Sequence, residues 1–219
     1  MAKPLFQLDP SKPFHHQDHL GHNRWHPEIP PVETIRPGET FRVDCRDWFD
    51  GAVRNDESAE DVLTAPFHIG HPLSGPFRVE GAKPGDLLVV DIVDVAPMSG
   101  AEEPGDLAGQ GWGYTGIFAP SHGGGFLHEH FPDAHKAIWD FRDGRATSRH
   151  IPGVSFQGAP RPGVMGTAPS PELLARWNKR EATLVARRPL RVPPYALPPL
   201  PKGALLGQLS DAKAALAAS

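Results

Sequence analysis

One phrase occurs twice in this chain, and it constrains the fold more than any other feature. Arg36-Pro-Gly-Glu-Thr-Phe-Arg-Val-Asp44 is echoed 47 positions later by Lys83-Pro-Gly-Asp-Leu-Leu-Val-Val-Asp91. Each copy reads basic, Pro-Gly, acidic, variable, apolar, variable, Val, Asp. Proline fixes φ at one turn position and glycine supplies the permissive next one, so each copy is a tight turn that launches a strand. The first strand, Phe41-Arg-Val-Asp-Cys45, alternates apolar with charged residues, the period of one buried and one wet face. The second, Leu87 to Val95, is β-branched and apolar on both faces apart from Asp91 and Asp94. That pattern predicts a central strand. Two copies indicate a repeated β unit.

The rest of the chain extends this pattern. It has 26 prolines and 23 glycines in 219 residues. Prolines set between alternating apolar runs, with aromatics still present, punctuate short strands and do not make a disordered tract. Ala137-Ile-Trp-Asp-Phe141 and Ala146 to Ile151 read as strands around an Asp143-Gly144 turn. Residues 97–125 read as a long glycine-rich loop, and the interleaved Trp112, Tyr114 and Phe118 argue that it is ordered and functional. A helix is predicted from Ser170-Pro171-Glu172, with Ser at the N-cap, Pro at the first helical position and Glu in the first turn. Leu173, Leu174, Trp177 and Leu184 continue it at helical spacing, and Arg187 and Arg188 suit its C-terminal dipole. The expected fold is mainly β with long Gly/Pro-rich loops and one or two helices near the C-terminus. The expected divisions are a polar, His-rich arm over 1–20, a β-rich domain over 21–188, and a proline-rich linker with a short Ala-rich tail over 189–219.

Charge and cysteine content narrow the function classes. Basic and acidic residues number 22 and 26, well mixed, for a net charge of −4. With no basic block, nucleic acid is not an expected partner. No window approaches the ~18 apolar residues of a membrane span, and no signal-like run opens the chain, so the expected setting is cytoplasmic with no membrane partner. The single Cys45 forbids an internal disulfide and fits a reducing compartment. It lies in phase with Phe41 and Val43, which predicts a structural thiol pointing into the core. Ten of the twelve histidines cluster at 15/16/19, 22/26, 68/71 and 128/130/135, and histidine is the commonest metal ligand. Among Asp44, Asp47 and Asp50, Asp47 is well placed just past the first strand to hold a metal or act as a base. Gly109-Gln-Gly-Trp-Gly-Tyr-Thr-Gly116 lacks the Gly-Lys-Ser/Thr ending of a phosphate loop. It reads instead as pocket wall or as a structural loop.

Seven segments occur in an order that is specific as a set: Gly21-His-Asn-Arg-Trp-His-Pro27, His71-Pro-Leu-Ser-Gly-Pro76, Val79 to Ile92, Gly109 to Phe118, Phe131-Pro-Asp-Ala134, Ala137-Ile-Trp-Asp140 and Gly166-Thr-Ala-Pro169. With them the chain resembles the acetamidase/formamidase family, in its longer, formamidase-like branch, from about residue 20 to residue 207. The resemblance implies a mainly β fold with sandwich-like units. It implies hydrolysis of small linear amides, such as formamide and acetamide, to the acid and ammonia. It also implies a divalent metal, zinc or calcium, and a further half beyond Gly207 that supplies polar and carboxylate groups. By matching position it nominates His22 and Asp47 as metal ligands and Asp47 and His71 as catalytic. Gly111, Trp112, Gly113 and Tyr114 are nominated as substrate-binding. The implied partners are a small amide and either further copies of the chain or the missing C-terminal half. Two alternatives accompany this reading: a catalytically inactive or split-subunit remnant, and a non-catalytic β module that binds a small ligand.

Overall fold

A computed structural model of the chain describes residues 2–17, 22, 23, 25–27, 29–65, 70–98, 111–118, 129–159 and 161–187. The expected linker and tail over 189–219 lie outside these residues, as do His19, His68 and His128. The elements in chain order are strands β1 (Lys3–Phe6), β2 (Glu33–Ile35) and β3 (Phe41–Val43), helix α1 (Glu60–Leu63), strands β4 (Phe77–Val79), β5 (Gly111–Ile117), β6 (His135–Arg142), β7 (Arg145–Ser148) and β8 (Ser155–Gln157), and helix α2 (Pro171–Arg187). The fold is mainly β, as expected, and divides into two compact units.

The first unit takes in residues 1–51, 67–89 and 165–219. Its strands pair in parallel, β1 with β3 and β2 with β4. The turn of the repeated phrase folds the same way twice. Glu39 N–H donates to Arg36 O at 3.1 Å and Asp86 N–H to Lys83 O at 3.0 Å. The acidic side chain of each turn accepts the N–H of its first residue: Glu39 from Arg36 at 2.9 Å, Asp86 from Lys83 at 2.8 Å. Gly38 and Gly85 hold φ of 85° and 99°, a region closed to most other residues. Phe6, Leu8, Phe14, Ile29 and Phe49 are buried, and the Phe6 ring packs on Phe14 and edge-on to Phe77. Fully burying such a side chain contributes about 1.5–3 kcal/mol. Helix α2 begins as its sequence predicts: Ser170 Oγ accepts the N–H of Leu173 at 3.2 Å, and Leu174 is buried.

Three expectations need correction here. The opening residues are no arm, because β1 pairs with β3 and Phe6 and Phe14 enter the core. Their polar neighbours hid a pairing that is made across the sequence. Cys45 is exposed, because β3 ends at Val43 and the alternation that would carry the thiol inward stops there. Leu87 to Val95 is not a central strand. It has no strand partner among the described residues, and its large apolar side chains are exposed.

The second unit, residues 52–66 and 90–164, is built on a four-stranded antiparallel sheet in the order β5-β6-β7-β8. Asp143 and Gly144 turn β6 into β7 with φ of 50° and 72°, the pair of positive values a two-residue hairpin favours. Strand β7 stops before the expected Ile151 because Ser148 Oγ accepts the N–H groups of His150 and Ile151. The core holds Val53, Val62, Ala65, Ile138 and Ala146.

The glycine-rich block is corrected as well: residues 111–117 are strand, paired with β6 from Gly111↔Phe141 to Ile117↔His135. Its glycines answer to packing. A Cβ on Gly111 would lie 2.5 Å from Pro97 Cβ, and one on Gly113 would lie 2.8 Å from Phe141 Cζ.

Candidate functional site

Past β3 the chain turns sharply, and Asp47 organises the turn. Its two carboxylate oxygens accept the N–H groups of Phe49 at 3.0 Å and Gly51 at 2.6 Å, and its carbonyl accepts Asp50 N–H at 3.1 Å. The side chain is thus fixed in direction while the residue stays exposed. A carboxylate offers about four acceptor sites, so each oxygen keeps one. Asp50 closes the turn at φ 56° and is buried. It accepts Phe14 N–H at 2.7 Å and Arg46 Nε–H at 2.7 Å. Arg46 also donates to the carbonyls of Asp50 and Pro10. This second aspartate is an anchor between turn and core, and its charge is matched.

Main-chain bonds lace the His71 segment to two others. His71 N–H donates to Trp48 O at 3.0 Å, and Leu73 N–H donates to His22 O at 2.7 Å. His22 and Leu73 face each other in an antiparallel bridge. The three nominated residues, His22, Asp47 and His71, are far apart in sequence. The His71–Leu73 stretch is bonded on one side to the His22 segment and on the other to Trp48, which follows Asp47 in the chain. His71 is exposed, adopts φ 59° and sets its ring 5.1 Å from the Trp48 ring. Histidine tolerates the left-handed region better than most residues, yet a non-glycine held there warrants a functional hypothesis. His22 and His26 are buried. Among the described residues, no three His, Cys, Asp or Glu side chains gather so as to hold a metal ion.

The other nominees, Gly111, Trp112, Gly113 and Tyr114, lie on β5 in the second unit. Gly111 and Gly113 share the face that meets Pro97 and Phe141; Trp112 and Tyr114 alternate onto the other, where Gly116 meets Val62.

Sequence reasoning missed two polar clusters in this second unit. Lys136 is buried, and its ammonium donates to Asp61 Oδ2 at 2.8 Å, Asp56 Oδ1 at 2.9 Å and the Arg54 carbonyl at 3.0 Å. Its hydrogen bond holds the Asp56 carboxyl below the usual carboxylate range, with the charges of Lys136 and Arg54 adding to the effect. The signal was present: Lys136 is in phase with Ile138 on the inner face of β6. The second cluster is a short contact between His150 Nε2 and Glu57. Because Ile138 N–H donates to His150 Nδ1 at 2.9 Å, Nδ1 is the acceptor and Nε2 carries the proton offered to Glu57. No local pattern announces a pair so far apart in sequence. Cys45 shows no sign of activation: partial burial of the thiol pushes its pKa up, a Ser74 hydrogen bond opposes this, and the Asp44 charge adds to it. A raised pKa disfavours the thiolate a nucleophile needs.

Comparison with known proteins adds the following. The description of the acetamidase/formamidase family matches residues 7–219. An acetamidase of Mycolicibacterium smegmatis is 53% identical over 210 residues, which cover 96% of this chain and 51% of that protein. A formamidase of Methylophilus methylotrophus is 47% identical over 99% of this chain and 51% of its own length. Among solved structures, a gamma lactamase from Delftia acidovorans superposes with a TM-score of 0.83 at 44% identity, over 98% of this chain and 51% of the lactamase chain. The chain therefore spans about half the length of the relatives it matches.

Proposed function

The chain belongs to the acetamidase/formamidase family, and on that premise we propose that it supplies part of an active site that hydrolyses a small linear amide, formamide or acetamide, to the acid and ammonia. The observation that carries this reading is the lacing of the His22, Asp47–Trp48 and His71 segments by main-chain hydrogen bonds. It brings an oriented, exposed carboxylate and an exposed, strained histidine onto adjoining segments.

Amide resonance makes unassisted attack by water slow. A base must take the proton of the attacking water, and donors must meet the oxyanion as the tetrahedral centre forms. In this proposal Asp47 takes that proton while water oxygen bonds to the carbonyl carbon. The proton then passes to nitrogen as the C–N bond breaks. His71, braced against Trp48, positions the amide. A substrate this small offers little remote binding energy, so fixed side-chain direction matters, and the amides of Phe49 and Gly51 give Asp47 that direction. Gly111, Trp112, Gly113 and Tyr114 stay candidates for amide binding on the resemblance alone.

A zinc or calcium ion at His22 and Asp47 stays in the proposal only as a two-ligand fragment. Catalytic zinc is commonly held by three protein ligands, and the described residues do not assemble three. No step is routed through a metal. The cytoplasmic setting rests on the single Cys45 and the sandwich-like packing on the resemblance. No helix of the described residues is long and apolar enough to cross a membrane.

The test is Asp47→Asn in a preparation that releases ammonia from formamide. Asn can still accept one turn hydrogen bond but cannot take a proton, so the rate should fall by about 10²-fold or more. An unchanged rate removes Asp47 from the mechanism. One observation favours a second reading, a silent or split-subunit half: the chain spans about half of its relatives. On that reading the chain alone releases no ammonia from formamide, and ammonia appears when the other half is added.

A further inference from the structure

Three side-chain bonds carry the β1–β3 pairing past the ends of its strands. Leu8 N–H donates to Asp44 Oδ2 at 3.2 Å, Arg46 Nη1 to Pro10 O at 3.2 Å, and Phe14 N–H to Asp50 Oδ2 at 2.7 Å. Each joins residues 36 apart in sequence, so the opening segment runs beside the Asp47 turn at a constant offset. All of these residues lie within 1–51 of the first unit. The last two rungs do more than tie the turn to the core. Arg46 Nε donates to Asp50 Oδ1 at 2.7 Å and Nη2 to the Asp50 carbonyl at 3.0 Å, so side chain and main chain are gripped together. The two side chains are only 12% and 5% exposed, and a Cβ on Gly51 would lie 2.8 Å from Arg46 Nη2. Asp50 holds φ at 56°, and a residue that is not glycine stays in that region only where its surroundings fix it.

The carbonyl of Asp50 and the N–H of Gly51 belong to one peptide group, and a peptide group is planar. Fixing the carbonyl therefore fixes the N–H, which is the donor that meets Asp47 Oδ1 at 2.6 Å. Arg46 holds one side of this plane and Asp47 the other. A tie to the core would need only the Phe14 bond; the bond from Arg46 to the Asp50 carbonyl sets the plane itself. We propose that Arg46 and Asp50 are positioning residues for Asp47. Through the Asp50–Gly51 peptide they aim the carboxylate that takes the proton of the attacking water. The proposal rests on the reading of Asp47 as that base. It also gives the segment from Pro10 to Phe14 a part in the site, as the fixed wall to which both residues are bonded.

Asp50→Asn tests it with the backbone undisturbed, since asparagine also tolerates the left-handed region. One oxygen cannot serve both Phe14 N–H and Arg46 Nε–H, so one contact becomes donor against donor. Arg46→Lys keeps the charge but loses the rigid fork that reaches carboxylate and carbonyl together. Asp44→Asn is the control, because it weakens an equivalent rung, to Leu8, on the strand side of the turn. In a preparation that releases ammonia from formamide, Asp50→Asn and Arg46→Lys should each lower kcat about tenfold or more with KM unchanged. Asp44→Asn should alter neither. In an Asp47→Asn background the two changes should cost nothing further, because they act through that carboxylate. By NMR in the full 219-residue chain, the Gly51 amide should exchange about tenfold faster in both variants and at the parent rate in Asp44→Asn. Thermal melts show which variants stay folded, and if Asp50→Asn does not, Arg46→Lys carries the test. Four results overturn the proposal: kcat and Gly51 exchange both unchanged; a rise in KM alone; rate losses that add to that of Asp47→Asn; or two variants that do not fold, which assigns the pair to stability alone. An unchanged rate in Asp47→Asn sinks the reading of Asp47 as base, and the grip on its carboxylate is then judged by Gly51 exchange, which is read without ammonia release.

Discussion

Lys136 shows how much one buried charge can decide. Its side chain is 1% exposed and that of Asp61 4%, so removing the cation leaves a carboxylate in a poorly solvated place. Breaking such a pair costs about 3–5 kcal/mol. Lys136→Met should lower the urea midpoint accordingly, and adding Asp61→Asn should recover part of the loss. A midpoint that does not move in the single variant would show that the pair is dispensable. Asp56 reports the same cluster through pH. Its folded-state pKa is lowered, first by the Lys136 hydrogen bond. Its contribution is therefore present above the ordinary aspartate range and lost as pH falls through the lowered value. In Lys136→Met, an NMR titration should find Asp56 moved up toward the ordinary range, and acid unfolding should start at higher pH. At this scale the sequence was partly readable. Asp47 stood out by its place past a strand, whereas Asp50 looked like one more solvated acid, and only the Phe14 amide and Arg46 reveal it as an anchor.

Elements were legible where their causes are local. The Pro-Gly turns, the Asp143-Gly144 hairpin and the Ser170 cap each depend on residues within a few positions, and each forms where expected. Strand β5 was misread because its cause is distant. Its glycines looked like loop residues, but at Gly111 and Gly113 the missing Cβ makes room for Pro97 and Phe141. Gly111→Ala should destabilise the fold by about 1–3 kcal/mol, the usual cost of overpacking, because the proline ring it would meet is rigid. Gly116→Ala should cost less, since its Cβ would meet Val62 at 3.4 Å, an ordinary contact. Thermal melts of the two variants side by side test this, and equal losses would discard the packing account.

At the scale of the whole molecule, the mainly β class and the family were both readable. Ordered motifs survive changes of loop length, and strand patterns have a short period. The candidate site was readable only as residues nominated one at a time. Their meeting depends on two main-chain bonds, from His71 to Trp48 and from Leu73 to His22, that no spacing rule foretells. The larger misreading, Leu87–Val95 as a central strand, is instructive in another way. The residues do specify an extended, doubly apolar run, yet no strand pairs with it among the described residues.

The open segment also bears on how such a chain keeps clear of its own kind. A short run of high β-propensity with unpaired backbone groups is the usual seed of ordered aggregation. Two carboxylates, Asp91 and Asp94, interrupt this one at intervals that leave no more than four apolar residues in succession. Stacked copies in register would set like charges against each other every ~4.8 Å. These aspartates act as gatekeepers: Asp91→Val, which joins the two apolar stretches, should bring thioflavin-positive fibrils at concentrations where the parent chain stays clear.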